Sequence, residues 1–359
     1  MPIKDKNLYY VGGVVRDEIL GTPSLDIDLC YEGNAINFAK DLDIIKTNPD
    51  FGTVRVKLND KEIDIASTRT ETYPQKGHLP LVANIGCSLK EDLSRRDFTI
   101  NALAKNTVTN EIVDYFNGLE DIKNKKIKVL HDNSFIDDPT RIVRGLKFAI
   151  RFGFKLDEHT KQLQDQYLAN INYDMSYHRL KKELKETFNL NSKEALQQFI
   201  DQKMYKLIKK DQNIPKYNAE VSSLNNKYKP QYLYMTYLGL FDLNNFELNN
   251  EEKRIVENFK EIQNSIPQND LEIYKLFREK PLESILLYAS SVDFNIANRY
   301  LDVLQNVQIE TSGNDLKNIG IEPSKIYKEI FDYILEQKII NPKISKSEEL
   351  LLIKEKFLW

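Results

Sequence analysis

Over the first third of the chain, apolar and polar residues alternate in short runs; beyond that the period lengthens. Leu8–Val11, Asp26–Cys30, Gly52–Leu58, Lys61–Ser67 and Ile112–Tyr115 read as strands. KLNDKEI reads as a hairpin with its turn on Asn59–Asp60, and Val14–Leu20 as a short helix closed by Gly21. From about Asp138 onward the pattern is helical. FNLNSKEALQQFI, KRIVENFKEIQNSI and KIYKEIFDYILEQKI carry apolar residues at i, i+3, i+4 and i+7. The Asn-containing segments near Asp211–Pro230 and Asn244–Glu251 read as loops. The expected fold class is α+β, a small N-terminal domain of mixed sheet and helices followed by an elongated all-helical region.

Composition narrows the class. The chain has 359 residues, 41% hydrophobic and 29% charged, as in an ordinary soluble protein with more than one core. No apolar run approaches the roughly 18 residues a membrane span needs, so no membrane role is expected. MPIKDKNLYY lacks a signal-peptide pattern, which makes a cytoplasmic location the default expectation. Two cysteines, Cys30 and Cys87, build no disulfide framework, and four scattered histidines argue against a His-based metal site. The net charge of −3 excludes binding of nucleic acid through a globally basic surface, but it leaves room for a local basic strip.

YYVGGVVRDEILGTPSLDIDL concentrates the chemistry. Gly12 and Gly13 lie between a strand and a short helix, where absent Cβ atoms let backbone N–H groups approach a bulky anion. Arg16, on the first turn of that helix, is placed to reach a triphosphate. Asp26 and Asp28 flank Ile27, so in a strand both carboxylates share one face while Ile27 turns into the core. Paired hard-oxygen ligands suit Mg²⁺, and two such ions can clamp the attacking and departing oxygens of a displacement. Asp64, in the alternating EIDIAS, is the candidate third acid.

GGVVRDEILG followed by DIDL resembles the signature of class II tRNA nucleotidyltransferases and bacterial poly(A) polymerases, within the DNA polymerase β-like superfamily. EDLSRRDFTINALA is similar to that family's second motif almost residue for residue. DDPTRIVRGLKFAIRFGF resembles its nucleotide-selecting motif, and SGNDLKNIGIEPSKIYKEIFDYIL is a looser match to the tail that holds tRNA. The resemblance implies a nucleotidyltransferase head over residues 1–122, a neck with nucleotide-selecting helices over 123–190, and a tRNA-binding body and tail over 191–359. It implies ATP and CTP as substrates, two Mg²⁺ ions, and tRNA, gripped at its 3′ end and elbow, as partner, with no protein partner required.

Each motif has a plain structural reading beside the functional one. Arg95, Arg96 and Asp97 precede an apolar FTINALA run read as a helix, and by resemblance select ribose over deoxyribose; the plain reading is a helix cap with solvated arginines. Asn101, one turn on, supports the site or is polar surface. Asp138 followed by Pro139 is an ordinary helix start, yet Asp138 and Arg141 are neighbours on one helical face. A carboxylate accepting from an exocyclic amine and a guanidinium donating to ring acceptors would admit C and A and reject U and G, the use that the resemblance implies. Asp137 is then expected to cap or position the helix instead. Arg144, Lys147 and Arg151 continue as a basic stripe suited to triphosphate or RNA backbone.

Departures from the family pattern are few. Lys147 stands where relatives have arginine, and His178 where they often have glutamate before Arg179, in a charged helix of the kind that is ordinarily a solvated face. Thr70–Lys90, with Pro74, Gly77, Pro80 and Gly86, is a candidate lid or a surface connection; in resembling enzymes a flexible loop here takes part in the switch from C to A addition. Pro323-Ser324-Lys325 replaces the relatives' Pro-Gly-Pro, leaving Lys325 at a helix N-terminus as a candidate phosphate contact. The expected function is addition of C and A to tRNA 3′ ends with release of pyrophosphate. The alternatives are CC-only or A-only addition, poly(A) synthesis, which the non-basic KSEELLLIKEKFLW disfavours, and non-catalytic RNA binding.

Overall fold

The computed structural model describes residues 3–23, 27–58, 61–214 and 216–358. They form two compact units, residues 1–212 with 243–247, and residues 213–242 with 248–359.

Eleven strands lie in the first unit: β1 (Leu8–Val11), β2 (Asp28–Tyr31), β3 (Asp43–Asn48), β4 (Thr53–Leu58), β5 (Lys61–Ser67), β6 (Arg69–Thr72), β7 (Leu81–Ile85), β8 (Leu103–Asn106), β9 (Ile112–Asp114), β10 (Lys126–Ile127) and β11 (Lys155–Leu156). Seven make one mixed sheet in the order β3-β4-β5-β2-β1-β8-β9. Within it β2 and β5 run parallel, with Asp28 opposite Asp64, while β1 pairs antiparallel with β2 and β8. The helices of this unit are α1 (Gly13–Ile19), α2 (Ala35–Phe38), α3 (Leu89–Ser94), α4 (Gly118–Lys123), α5 (Ser134–Asp137), α6 (Thr140–Phe152), α7 (Glu158–Ala169), α8 (Tyr177–Phe188) and α9 (Lys193–Asp201).

The period-2 pattern buries both sheet faces. Leu8, Leu29, Val54, Val56, Ile63 and Ile65 pack on one face with Ala35 and Ala39 of α2. Val11, Cys30, Ala102 and Ala104 pack on the other with Leu89 and Leu93 of α3. Each fully buried aliphatic side chain contributes roughly 1.5–3 kcal/mol. Because Leu29 and Ile65 take one face, their strand neighbours Asp28 and Asp64 face the opposite way.

The second unit is helical: α10 (Val221–Tyr228), α11 (Met235–Leu238), α12 (Asn250–Ile262), α13 (Asp270–Phe277), α14 (Leu282–Ser291), α15 (Phe294–Asp302), α16 (Gly313–Asn318), α17 (Ile326–Ile340) and α18 (Lys346–Phe357). Helix α14 is buried from Glu283 to Ser290, and Leu316, Ile330, Ile334 and Ile353 form a separate core near the end of the chain. Capping boxes start α12 at Asn249, α16 at Ser312 and α18 at Ser345.

The α+β reading holds, with local corrections. FTINALA is not a helix. Thr99–Asn101 is one 3₁₀ turn, and Leu103 enters β8, because short apolar runs suit a buried strand and a helix equally well. FNLNSKEALQQFI breaks at Asn191, whose φ is 49°, before α9 restarts with Ser192 as its cap. The segments read as loops near Asp211–Pro230 and Asn244–Glu251 contain α10 and the start of α12. Strand β2 begins at Asp28, so Ile27 precedes the ladder and is 41% exposed instead of entering the core. Beyond residue 122 the chain is not wholly helical, since β10 and β11 pair in parallel. The turn expected at Asn59–Asp60 lies outside the described residues.

Candidate active site

Strand β1 delivers the chain to Gly12, whose φ of 71° and ψ of −129° L side chains rarely adopt. A Cβ there would also lie 2.9 Å from Arg96 Nη1. The arginine tip could shift, so it is the backbone conformation that holds glycine at this position, on a cavity of about 1100 Å³. Gly12, Gly13, Arg16, Asp28, Arg95, Arg96, Asp97, Asn101, Asp138, Arg141, Arg144, Lys147 and Arg151 all line it. Among the described residues its wall carries nine Arg and Lys side chains against six carboxylates, a local positive surplus in a chain negative overall. A polyphosphate fits that balance.

The cations are held in place by a lattice of acids. Arg16 is buried; it donates to Asp17 Oδ1 at 2.9 and 2.7 Å and to the Asn101 side chain. Its guanidinium lies 5.0 and 4.6 Å from the ring centres of Phe148 and Phe152, so burial lowers its pKa. Arg144 donates to Asp97 Oδ2 at 2.8 Å and to Glu183 Oε1 at 3.0 Å. Burial works to raise the Asp97 carboxyl, but Arg144 and Asn101 outweigh it and hold it at about 2. Lys147 reaches Glu183 at 2.7 Å and Glu186 at 2.5 Å, and Arg151 reaches Asp17 at 3.2 Å. The basic stripe on α6 is therefore real but compensated.

The RRD motif is fixed from below by buried Asp92. Arg95 donates to it at 2.8 Å and Arg96 at 3.1 Å, while Arg95 also reaches Glu71 at 2.9 Å. The arginines are not solvated caps. Asn101 donates to Asp97 Oδ1 at 2.9 Å, so it supports the site and is not polar surface. Arg96 keeps a buried Nε without a partner among the described residues. Phe98 meets Phe148 edge-on at 5.9 Å, and Gly145 leaves room for that ring, which locks the motif against α6.

At the opposite wall, Asp138 does the capping that had been expected of Asp137. Its Oδ1 accepts from Thr140 N at 3.1 Å and Thr140 Oγ1 at 2.6 Å, and its Oδ2 accepts from Arg179. Asp137 instead takes Lys76 Nζ at 2.5 Å. Arg141 hydrogen-bonds to neutral acceptors, Ser134 Oγ at 2.8 Å, Tyr73 OH at 3.1 Å and Arg95 O at 3.0 Å. Arg179, read from the sequence as part of a solvated face, turns inward to Asp138 and to His78 O at 3.1 Å. Glu71, Tyr73, Phe148 and Glu183 also line the cavity and escaped the sequence reading. Arg179 and Glu183, four apart on α8, carry a periodic signal, as do Lys182 and Glu186 on the same helix.

Thr70–Lys90 is more ordered than a connection. It completes the β6–β7 ribbon, and its tip is pinned where Gly77 N donates to Asp137 O at 3.1 Å and Ser176 N to Gly77 O at 3.1 Å. Asp64 sits beside Asp28 on β5 and pairs with Arg55 at 2.7 and 2.8 Å, lining a smaller cavity that shares Asp28, Arg95 and Arg96 with the large one. Asp26 lies outside the described residues. Lys325 belongs to the second unit, where it precedes α17. Among the described residues no cluster of three metal-ligating side chains occurs, and no helix is long and apolar enough to cross a membrane.

Acids on two interior strands beside fixed cations are the apparatus of a nucleotidyltransferase, and comparison with known proteins agrees. A family model described as the poly A polymerase head domain matches residues 8–128. The A-adding tRNA nucleotidyltransferase of Aquifex aeolicus is 48% identical over 166 residues, 44% of this chain but 20% of that protein. That of Halalkalibacterium halodurans is 29% identical over 90% of this chain and 82% of its own length. The structure of the Thermotoga maritima CCA-adding enzyme complexed with tRNA_CCA covers 97% of this chain and 90% of its own, with TM-score 0.72 and 26% identity. The first third of the chain thus carries a poly A polymerase head domain, and the chain as a whole is similar to tRNA nucleotidyltransferases.

Proposed function

We propose that this protein, acting in the cytoplasm, adds C and A nucleotides to the 3′ end of tRNA, using CTP and ATP without a nucleic-acid template and releasing pyrophosphate. The observation that carries the reading is the convergence on one cavity of Asp28, the Arg95-Arg96-Asp97 motif and the Asp138–Arg141 pair. The relatives' tRNA-directed activities, named for enzymes similar over most of this chain, support it. In this reading the first unit carries catalysis and the second contributes tRNA binding, with Lys325 at a phosphate.

Gly12 N–H donates to Leu103 O at 3.2 Å, so of the two glycines it is Gly13 that offers its N–H to the triphosphate, while Arg96 and Arg144 supply charge. Asp97, kept ionised by Arg144, accepts from the ribose hydroxyls. Arg141, already free of carboxylate pairing in its hydrogen bonds, donates to the base. Asp138 keeps its orientation through Thr140 and exchanges Arg179 for the exocyclic amine. Side-by-side carboxylates on Asp28 and Asp64 supply hard oxygen donors that fit Mg²⁺, and Asp26 is the third candidate. Bound there, Mg²⁺ would lower the pKa of the tRNA 3′-hydroxyl and neutralise charge at the α-phosphate.

A-only addition is the second reading, favoured by the A-adding activity named for the Aquifex and Halalkalibacterium relatives. The test is incubation of purified protein with Mg²⁺ and tRNA transcripts ending before the first C, after CC, and after CCA. Incorporation of C, C and then A with arrest supports the first reading. Incorporation of A alone onto CC-ended transcripts replaces it with the second, and no incorporation into any transcript overturns both.

A further inference from the structure

The helix that carries Arg141, Arg144 and Lys147 into the cavity ends at Gly153, and Gly153 borders a separate open cleft of about 800 Å³. Lys125, Lys126 and Lys155 line that cleft, beside Asn124 and His159. In the segment KNKKIK, Lys123–Lys128, four of six residues are lysine, although the whole chain carries a net charge of −3. Lys126 and Lys155 are register partners on β10 and β11, so two like charges stand side by side, an arrangement that costs stability. Lys125 occupies a left-handed turn at φ 54° and is nonetheless exposed.

Pairing separates these lysines from the cations of the large cavity. The side chains of Lys125, Lys126, Lys128 and Lys155 are exposed and make no hydrogen bond or ion pair among the described residues. Only Lys123 touches an acid, Glu120, at 3.8 Å. The two acids on the cleft do not neutralise them. Asp157 caps α7 by accepting from Thr160 N at 3.0 Å, and Glu158 faces solvent in the first turn. His159 is itself paired with Asp132 at 2.8 Å. Register repulsion without compensation calls for an outside polyanion, and the cleft is too open to enclose a small one. Helix α6 spans about 20 Å from the base-reading end to the cleft, a separation that a duplex ending in the cavity can bridge.

We propose that Lys125, Lys126 and Lys155 form a phosphate-backbone docking surface for the RNA duplex whose 3′ end enters the catalytic cavity, an inference that rests on the RNA-directed reading above. The surface positions RNA without reading sequence. The test uses the full chain and a 5′-labelled tRNA transcript lacking its terminal nucleotides, titrated by fluorescence anisotropy at several salt concentrations. K125Q/K126Q/K155Q is expected to weaken Kd roughly tenfold and to reduce the slope of log K against log salt by about 2. Its KM for nucleoside triphosphate should stay unchanged, and K125R/K126R/K155R should restore Kd. Should the glutamine triple lose its melting transition, K155Q alone is held to the same criteria at roughly threefold. Unchanged Kd and salt slope overturn the proposal, as does loss of binding to phosphatidylserine vesicles without loss of RNA binding. If the wild-type protein binds the transcript but adds nothing to it, the catalytic reading fails, while the docking surface is still decided by the Kd difference.

Discussion

Buried charge is handled in opposite ways in the two units. In the second, Glu349 has a side chain with no exposure and is saturated, accepting from Glu310 N, from Thr311 N and Oγ1, and from Lys338 Nζ at 2.8 Å. In the first, the cavity wall is deliberately incomplete. Arg96 keeps a buried Nε without a partner among the described residues, and Arg141 bonds neutral acceptors. A saturated buried pair serves stability because nothing remains to be gained by adding a ligand. An unsaturated wall is a standing cost that a ligand removes, and that marks a binding site.

The strongest way to break this contrast is at the sheet. Asp28→Ala should lower nucleotide incorporation by about 10³-fold or more while changing the melting temperature little, since Asp28 is exposed at the start of β2. Rapid-quench incorporation with a thermal melt checks both, and retained activity removes Asp28 from the mechanism. The second unit should respond in reverse. Glu349→Ala strips Lys338 of its buried partner and should destabilise by about 3 kcal/mol, read by denaturant unfolding, with KM for CTP and ATP unmoved.

Asp97 tests the electrostatics of the cavity by pH. Its folded pKa is depressed from the ordinary 3.8 to about 2, so its stabilisation is complete above about pH 4 and disappears as pH falls toward 2. Denaturant midpoints measured from pH 6 to 2 should show an acid-limb loss of about 2 kcal/mol that Asp97→Asn lacks. An identical acid limb in the variant would show that the Arg144 pairing contributes nothing. The smallest effect is one of selectivity. Arg141→Lys should cut the preference for CTP over UTP by roughly tenfold in kcat/KM, because a point charge replaces a planar fork. Competition between labelled CTP and UTP measures it, and an unaltered ratio assigns base choice elsewhere.

Most of the site was legible because its residues cluster in three short motifs whose local geometry follows from strand and turn chemistry. Asp28 and Asp64 were both legible as acids of alternating strands, and Gly12 turns where it must, whereas the register that sets the two acids opposite each other is tertiary. What escaped was the role of residues whose partners are distant in sequence. Arg179 lies 41 residues from Asp138, and Tyr73 lies 68 from Arg141. Each looks like an ordinary polar position until the chain folds. FTINALA was misread as helix because a short, mostly apolar run suits a strand and a helix equally well, and the pairing of β8 with β1 decided the matter.

The sequence by itself determined the α+β class with strands first and helices after, the glycine turn, the acidic strands and the order of the motifs, because each depends on contacts within a few residues. Tertiary structure alone decided which cations remain available. It paired Arg144 and Lys147 with Glu183, turned Arg179 onto Asp138, and left Lys125, Lys126 and Lys155 without acids. The physical reason is range. Backbone propensity acts locally, whereas the charge a side chain presents depends on whichever groups the fold brings within a few Å, and at that distance in a partly buried wall one carboxylate cancels one cation.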